Sequence, residues 1–78
     1  MKIKSWKVAQ IMHDMGRYGD IYDVDVEGHE MFHDFREYED ENGYVTVTNV
    51  LEVAKETEKA LYMNIGGFKT WVPKSAVA

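Results

Sequence analysis

The sequence has no cysteine, a single proline and no long apolar run. Without cysteine, the chain can form neither a disulfide framework nor a thiolate metal site. No window approaches the roughly 18 consecutive apolar residues that a membrane span needs. The basic start, residues 1–7, is not followed by the apolar stretch of a signal peptide. We therefore expect a soluble protein of the cytoplasm.

Length and composition limit the fold to one small unit. The chain has 78 residues, of which 45% are hydrophobic and 29% are charged. This balance is too apolar for a disordered tail and too polar for a membrane protein. A chain of this size buries only about 60–65% of its unfolded surface, which leaves little room for a deep substrate cleft. We predict a single domain over residues 1–78 and exclude a multidomain enzyme.

Charge is distributed very unevenly along the chain. From Asp14 to Glu41 there are eleven acidic residues against two arginines, a local net charge of −9. Elsewhere seven lysines face three glutamates, so this part carries +4 and the total is −5. A strongly negative region attracts cationic partners and repels nucleic acid, which disfavours direct binding of DNA or RNA. The alternative is that the acidic face only keeps a small protein in solution.

An amphipathic pattern at the N-terminus predicts a helix over about residues 5–15. Ser5 can cap its start and Gly16 can end it. The apolar residues recur at steps of three and four, as on one face of a helix: Trp6, Val8, Ala9, Met12 and Met15.

The acidic middle of the chain predicts a strand and then a helix. Tyr22, Val24 and Val26 alternate with acidic residues before Gly28, the period of a strand with one wet face. Over residues 29–41, Met31, Phe32, Phe35 and Tyr38 fit one helical stripe, and Asn42-Gly43 would end it. Because the segment is rich in aromatic residues, a strand remains the alternative for it.

The C-terminal half predicts strands. Residues 44–53 are rich in β-branched side chains and contain no breaker. Residues 60–65 and 68–72 flank Gly66-Gly67, which tolerates the positive φ of a hairpin turn, and Pro73 ends the last strand. We predict an α+β fold in which an N-terminal helix and a second helix pack on a small, mainly antiparallel sheet of three to five strands.

Residues 29–33 spell a literal H-E-x-x-H. On a helix, His29 and His33 would share a face and could hold one zinc ion while Glu30 activates a bound water. Zinc needs a third protein ligand, and the metzincin extension is missing because Arg36 and Glu39 stand where glycine and histidine belong. A third ligand would have to come through the fold from His13, Glu52 or Glu56.

Other interpretations of the two histidines remain open. They can be solvated side chains on an acidic helix, or they can bind a divalent metal adventitiously together with nearby carboxylates such as Asp34 and Glu37. No phosphate-binding loop and no nucleophile elbow is present. We expect no catalytic residues, no cofactor and no resident metal; zinc-dependent hydrolysis with His29, His33 and Glu30 is the alternative.

The acidic residues also fit a binding surface. On an extended strand, alternate carboxylates project from one face at a spacing of about 6.6 Å, comparable to successive phosphates of a nucleic acid. Such an array can occupy a basic groove on another protein. Tyrosines beside it could add interface energy, although core packing is the simpler role for each. The predicted partner-binding residues are Asp20, Tyr22, Asp23, Asp25, Glu27, Glu30, Asp34, Glu37, Tyr38, Asp40 and Glu41.

The end of the chain resembles a closing pattern of small phage and mobile-element proteins. Residues 58–63 and 69–75 read as K-A, an apolar strand, a glycine turn and W-[IV]-P-K-S. The resemblance covers about the last twenty residues. It implies a hairpin closed by Trp71 packing under the turn, with an ending similar to that of an SH3-like barrel, and it carries no known activity.

This resemblance also implies a phage origin. Small acidic phage proteins without catalytic residues often inhibit host-defence enzymes, anti-CRISPR proteins among them. We therefore expect a non-enzymatic inhibitor whose acidic region docks on a basic surface of a nucleic-acid-handling host protein, such as a CRISPR effector. A small structural or assembly protein is a further alternative. Neither a membrane nor nucleic acid itself is an expected partner.

Overall fold

The fold is α+β: one helix packs against two small antiparallel sheets. The computed structural model describes residues 1–18, 22–30 and 32–78. The helix α1 spans Ser5–Gly16. The strands are β1 (Lys2–Lys4), β2 (Tyr44–Thr46), β3 (Val50–Glu56), β4 (Ala60–Ile65) and β5 (Phe68–Pro73). The first sheet consists of β1 and β2, and the second has the strand order β3-β4-β5.

Helix α1 forms because one of its faces is apolar. Val8, Ile11 and Met15 lie three and four residues apart and are all buried, which is the spacing of one helical face. Ser5 does not cap the helix as predicted: Lys4 is the N-cap, and Ser5 is the first helical residue. Trp6 is 57% exposed and does not belong to the buried face. No helix among the described residues is long and apolar enough to cross a membrane.

The first sheet is widened by two single bridges. Ile3 of β1 pairs with Val45 of β2 and also bridges to Val77 near the C-terminus. On the other side, Val26 bridges to Val47, directly after β2. The segment that contains Val26 therefore lies at one edge of this layer, and the C-terminal residues lie at the other.

The second sheet is an antiparallel meander. Ile65 pairs with Phe68 across a turn at Gly66 and Gly67, whose φ angles are +59° and +99°. This confirms the predicted hairpin and the reason for its two glycines. Met63 and Val72 face the core, whereas the next position carries Tyr62 opposite Trp71 on the outer face, with ring centroids 5.0 Å apart.

One hydrophobic core joins the helix and both sheets. Its members are almost fully withdrawn from water and come from the helix and from both sheets, so these layers depend on one another for burial. They are Ile3, Val8, Ile11, Met15, Val24, Val26, Phe35, Val45, Val47, Met63, Ile65, Val72 and Ala76.

The predicted helix over residues 29–41 is wrong. Among the described residues of this segment, the only helical turn is a short 3-10 turn, Phe35–Tyr38. Phe35 is buried, but Phe32 is 97% exposed and has a φ of +75°, a left-handed conformation that no helix contains. Met31 lies outside the described residues.

Two strand predictions are corrected in their extent, and the predicted packing of Trp71 is corrected as well. Residues 22–27 contribute one bridge rather than a strand. The single strand over residues 44–53 is two strands in different sheets, separated by Val47, Thr48 and Asn49. Trp71 is 44% exposed on the outer face and does not pack under the turn. The likeness of the C-terminal closure to an SH3-like barrel stays a prediction.

Candidate functional site

Three carboxylates form an exposed row beside the first sheet. Asp23, Asp25 and Glu27 are exposed, and the intervening Val24 and Val26 are buried. This alternation is what the sequence predicted, because burying the two valines turns the acidic side chains outward. We call Asp23, Asp25 and Glu27 the acidic strip.

The backbone of the acidic strip is held by hydrogen bonds to residues 46–49. The amide of Glu27 donates to the carbonyl of Thr46, and the amide of Thr48 donates to the carbonyl of Asp25, each over 2.8 Å. The Asn49 side chain adds two bonds: its Oδ1 accepts from the amide of Asp25 at 2.9 Å, and its Nδ2 donates to the carbonyl of Asp23 at 2.9 Å. The main chain is thus tied while the carboxylates of Asp25 and Glu27 remain available.

The hairpin turn between β4 and β5 contacts the backbone of the acidic strip. Gly66 donates its amide to the carbonyl of Asn49 at 3.0 Å. A Cβ atom at Gly66 would lie 2.5 Å from the carbonyl oxygen of Asp23 and 2.7 Å from Nδ2 of Asn49. Only glycine fits this contact without displacing the backbone.

A second group of acidic residues lies on the turn that follows. Asp34 is the N-cap of the 3-10 turn, where its Oδ1 accepts from the amide of Arg36 at 2.9 Å. The Arg36 guanidinium also donates to both carboxylate oxygens, at 3.0 and 3.1 Å. These bonds from Arg36 hold the pKa of Asp34 below its ordinary value.

Asp40 organises the start of β2. Its Oδ1 accepts from the amide of Tyr44 at 3.0 Å and from the amide of Asn42 at 2.9 Å, and Lys2 pairs with Oδ2 at 3.3 Å. The bond from Tyr44, followed by those from Asn42 and Lys2, keeps the pKa of Asp40 below its ordinary value. The carboxylate is therefore occupied by its own chain.

Two further glutamates of this turn also have partners within the chain. A carboxylate oxygen of Glu37 lies 3.0 Å from Nδ1 of His33. Glu39 accepts a hydrogen bond from the hydroxyl of Ser5. We call Asp34, Glu37, Glu39 and Asp40 the acidic turn, since each of these side chains bonds to another part of the protein.

The remaining predicted partner-binding residues differ in their surroundings. Glu30 and Glu41 are exposed, and neither forms an ion pair with another described residue. Tyr22 is half-buried against Phe68, at 5.3 Å between ring centroids. Tyr38 is half-buried against His29, at 5.8 Å. Asp20 lies outside the described residues.

The H-E-x-x-H residues are not on a helix. Nε2 of His29 lies 2.6 Å from the backbone carbonyl of His33, and Nδ1 of His33 lies 3.0 Å from Glu37. The helical spacing that would have aimed both imidazoles at one ion is therefore missing. Over residues 1–18, 22–30 and 32–78, no three His, Asp or Glu side chains are grouped in a way that could hold a metal.

A shallow pocket lies between α1 and the acidic strip. It has a volume of about 350 Å³ and is lined by Met12, Val24, Asp23, Asp25 and His29, among others. A lining that combines two carboxylates with apolar side chains suits a basic side chain with an aliphatic stem, such as lysine or arginine.

Sequence reasoning missed the residues that support the strip. Asn49 was included only as part of a strand, and Gly66 only as a turn residue. Asparagine after a β-branched run is a signal for a break in a strand, because its side chain readily bonds to nearby backbone. The contact of Gly66 with Asp23 joins residues 43 positions apart, and no local pattern reports it.

Comparisons of the chain with protein-family models, with curated proteins and with solved structures each returned no match. Any statement about function therefore depends on the arrangement of the residues themselves.

Proposed function

We propose that this protein is a non-enzymatic acidic binding protein that covers a basic, nucleic-acid-binding surface of another protein. The observation that carries the proposal is the acidic strip: exposed carboxylates on a backbone tied at four points to residues 46–49. A backbone that is already held in place loses little conformational entropy on binding, and this favours recognition by the charged side chains that it carries.

The surrounding charge supports the same function. The acidic strip lies within residues 14–41, whose net charge is −9, so the electrostatic field of the strip adds to that of Glu30 and Glu41. A field of this sign speeds the approach of a cationic surface and repels nucleic acid. The pocket beside Asp23 and Asp25 would accept a basic side chain from the partner.

The specific form of the proposal is a phage-encoded inhibitor of a host-defence protein such as a CRISPR effector. Its support is the resemblance of the closing hairpin to small phage proteins, together with the acidic surface. By filling the groove that normally holds guide or target, the inhibitor would block nucleic-acid binding without any chemical step.

The test compares two variants of equal net charge. Asp25→Asn with Glu27→Gln removes two negative charges from the strip, and Glu58→Lys changes the net charge equally in the exposed turn between β3 and β4. Purified guide-loaded CRISPR effectors are assayed for target-DNA binding. We expect inhibition by the wild type and by Glu58→Lys, and a loss of about tenfold or more in the strip variant.

A lysate experiment tests the general form. Bacterial proteins captured by the immobilised wild type should be released by added double-stranded DNA and by high salt, because both compete for the same basic surface. The strip variant should capture them poorly. If the protein inhibits none of the CRISPR effectors, the proposal of a CRISPR inhibitor is contradicted. If DNA fails to displace the captured proteins, the proposal that the protein covers a nucleic-acid-binding surface is contradicted.

A further inference from the structure

Strand β3 is exposed to an unusual degree. Six of its seven residues are exposed, and Leu51 and Val53 are 66% and 43% exposed. Within the described part of the chain, β3 pairs with β4 alone, so its outer edge presents unpaired backbone groups. A long open edge of this kind is a template for another strand.

A groove beside β3 leaves this edge open to approach. It has a volume of about 540 Å³ and is lined by Met1, Thr48, Val50, Leu51 and Val53, among others. No described element fills it. Because Val50, Leu51 and Val53 of β3 line the groove, the groove adjoins the open edge of this strand.

Residue register within β3 makes this edge complementary to itself. Glu52 lies opposite Asn64 of β4, and Lys55 lies opposite Tyr62. Since Asn64 and Tyr62 are two positions apart on one strand, Glu52 and Lys55 project from the same sheet face. The bulge between Val53 and Lys55 supplies the extra residue that makes this possible.

A two-fold axis through the bulge therefore pairs opposite charges. If a second β3 runs antiparallel to the first and is centred on Val53 and Ala54, Glu52 of each copy lies opposite Lys55 of the other. Opposite charges at such cross-strand positions stabilise pairing, and like charges oppose it. Glu56, the other charged side chain of β3, is already paired with Lys74.

We propose that the protein forms a two-fold symmetric dimer by antiparallel pairing of β3 with β3 of a second copy, joining two three-stranded sheets into one of six strands. Charged residues and bulges on an edge generally hinder such pairing. Here the charged residues Glu52 and Lys55 lie opposite their symmetry mates in one register, and this charge pairing favours one alignment and one partner. This dimer is independent of the acidic strip.

Charge-swap variants test the dimer. Glu52→Lys and Lys55→Glu each place like charges opposite one another at two symmetric positions, and each should weaken dimerisation about tenfold in sedimentation equilibrium. Mixed in equal amounts, the two variants should form a heterodimer, because both cross-strand pairs are then opposite in charge. The double variant should dimerise like the wild type.

Two controls separate this interface from others. Glu58→Lys, in the turn beyond β3, makes the same charge change and should leave the dimer intact. Backbone amides of β3 should exchange more slowly with solvent as protein concentration rises. A chain that stays monomeric up to about 1 mM overturns the proposal, as does a dimer that is indifferent to both swaps or a mixture of the two that fails to associate.

Discussion

The acidic strip and the acidic turn have similar compositions, but their carboxylates have different partners. In the strip, Asp25 and Glu27 contribute backbone bonds to the fold and leave their side chains in water. In the turn, Asp34 and Asp40 use their side chains to hold amides and cations of the same chain. A carboxylate that already accepts hydrogen bonds from its own chain has fewer lone pairs left for another protein. Acidic residues near one another in sequence are therefore unequal candidates for recognition.

Among the residues that support the acidic strip, we expect Gly66 to be the most sensitive to substitution. Gly66→Ala should lower the free energy of unfolding by about 2–4 kcal/mol, because the methyl group collides with the backbone of Asp23 and the residue must keep a positive φ. Urea denaturation measures the change. Gly16→Ala is the matched control, because Gly16 is the last residue of α1 and a Cβ atom at this position would meet no other atom within 4 Å. Equal stability of the two variants would show that the turn does not press against the strip.

Removal of the Asn49 side chain should have the next largest effect. Asn49→Ala breaks the bonds to Asp23 and Asp25 and should cost about 1–3 kcal/mol. Amide exchange at Asp25 should accelerate, while exchange at Tyr44, which Asp40 holds, should not. Such a result would separate the two acidic regions directly.

Asn42→Ala is the control for that experiment. Its side chain is exposed and forms no hydrogen bond with another described residue, so stability should change by less than about 0.5 kcal/mol. If amide exchange in Asn49→Ala accelerates at Tyr44 as well as at Asp25, the acidic strip and the acidic turn open as one unit.

The acidic turn should respond to pH through Asp40, with the smallest effect of the three. Its pKa is lower in the folded protein than the ordinary value, so its contribution to stability is complete above that ordinary value and is lost as the pH falls through the folded one. Asp40→Asn should therefore be less stable than wild type at pH 7, and the difference should shrink below about pH 4.

Thermal unfolding followed between neutral and acidic pH measures this convergence. Glu41→Gln, one residue away and exposed, changes charge equally without removing a structural hydrogen bond and should track the wild type. Parallel curves for Asp40→Asn and wild type at every pH would contradict the structural role of the Asp40 carboxylate.

Local patterns in the sequence predicted the elements whose signals are repeated over several residues. Val8 and Met15, two residues of the predicted helical stripe, are buried on one face of α1 together with Ile11, which the prediction did not include, and Gly66-Gly67 forms the turn of the predicted hairpin. The three-residue strand β1 was missed because Lys2, Ile3 and Lys4 are too few to establish an alternation.

The acidic turn was misread because its aromatic spacing suits more than one structure. Phe32, Phe35 and Tyr38 recur every three residues, which fits a helical stripe but also a series of turns. Asp34 decides between them by capping a short 3-10 turn. The exposure of the strip followed from its alternation with valines, whereas its support by Asn49 and Gly66 depends on long-range contacts.

The close contact between Gly66 and Asp23 affects the order in which parts of the protein fold during synthesis. Residues 22–27 leave the ribosome well before the hairpin that must rest behind them, and contacts of such long sequence separation form late. The acidic strip thus acquires its final shape only after residues 66–67 have been synthesised, so its negative charge is present on the nascent chain before its final geometry.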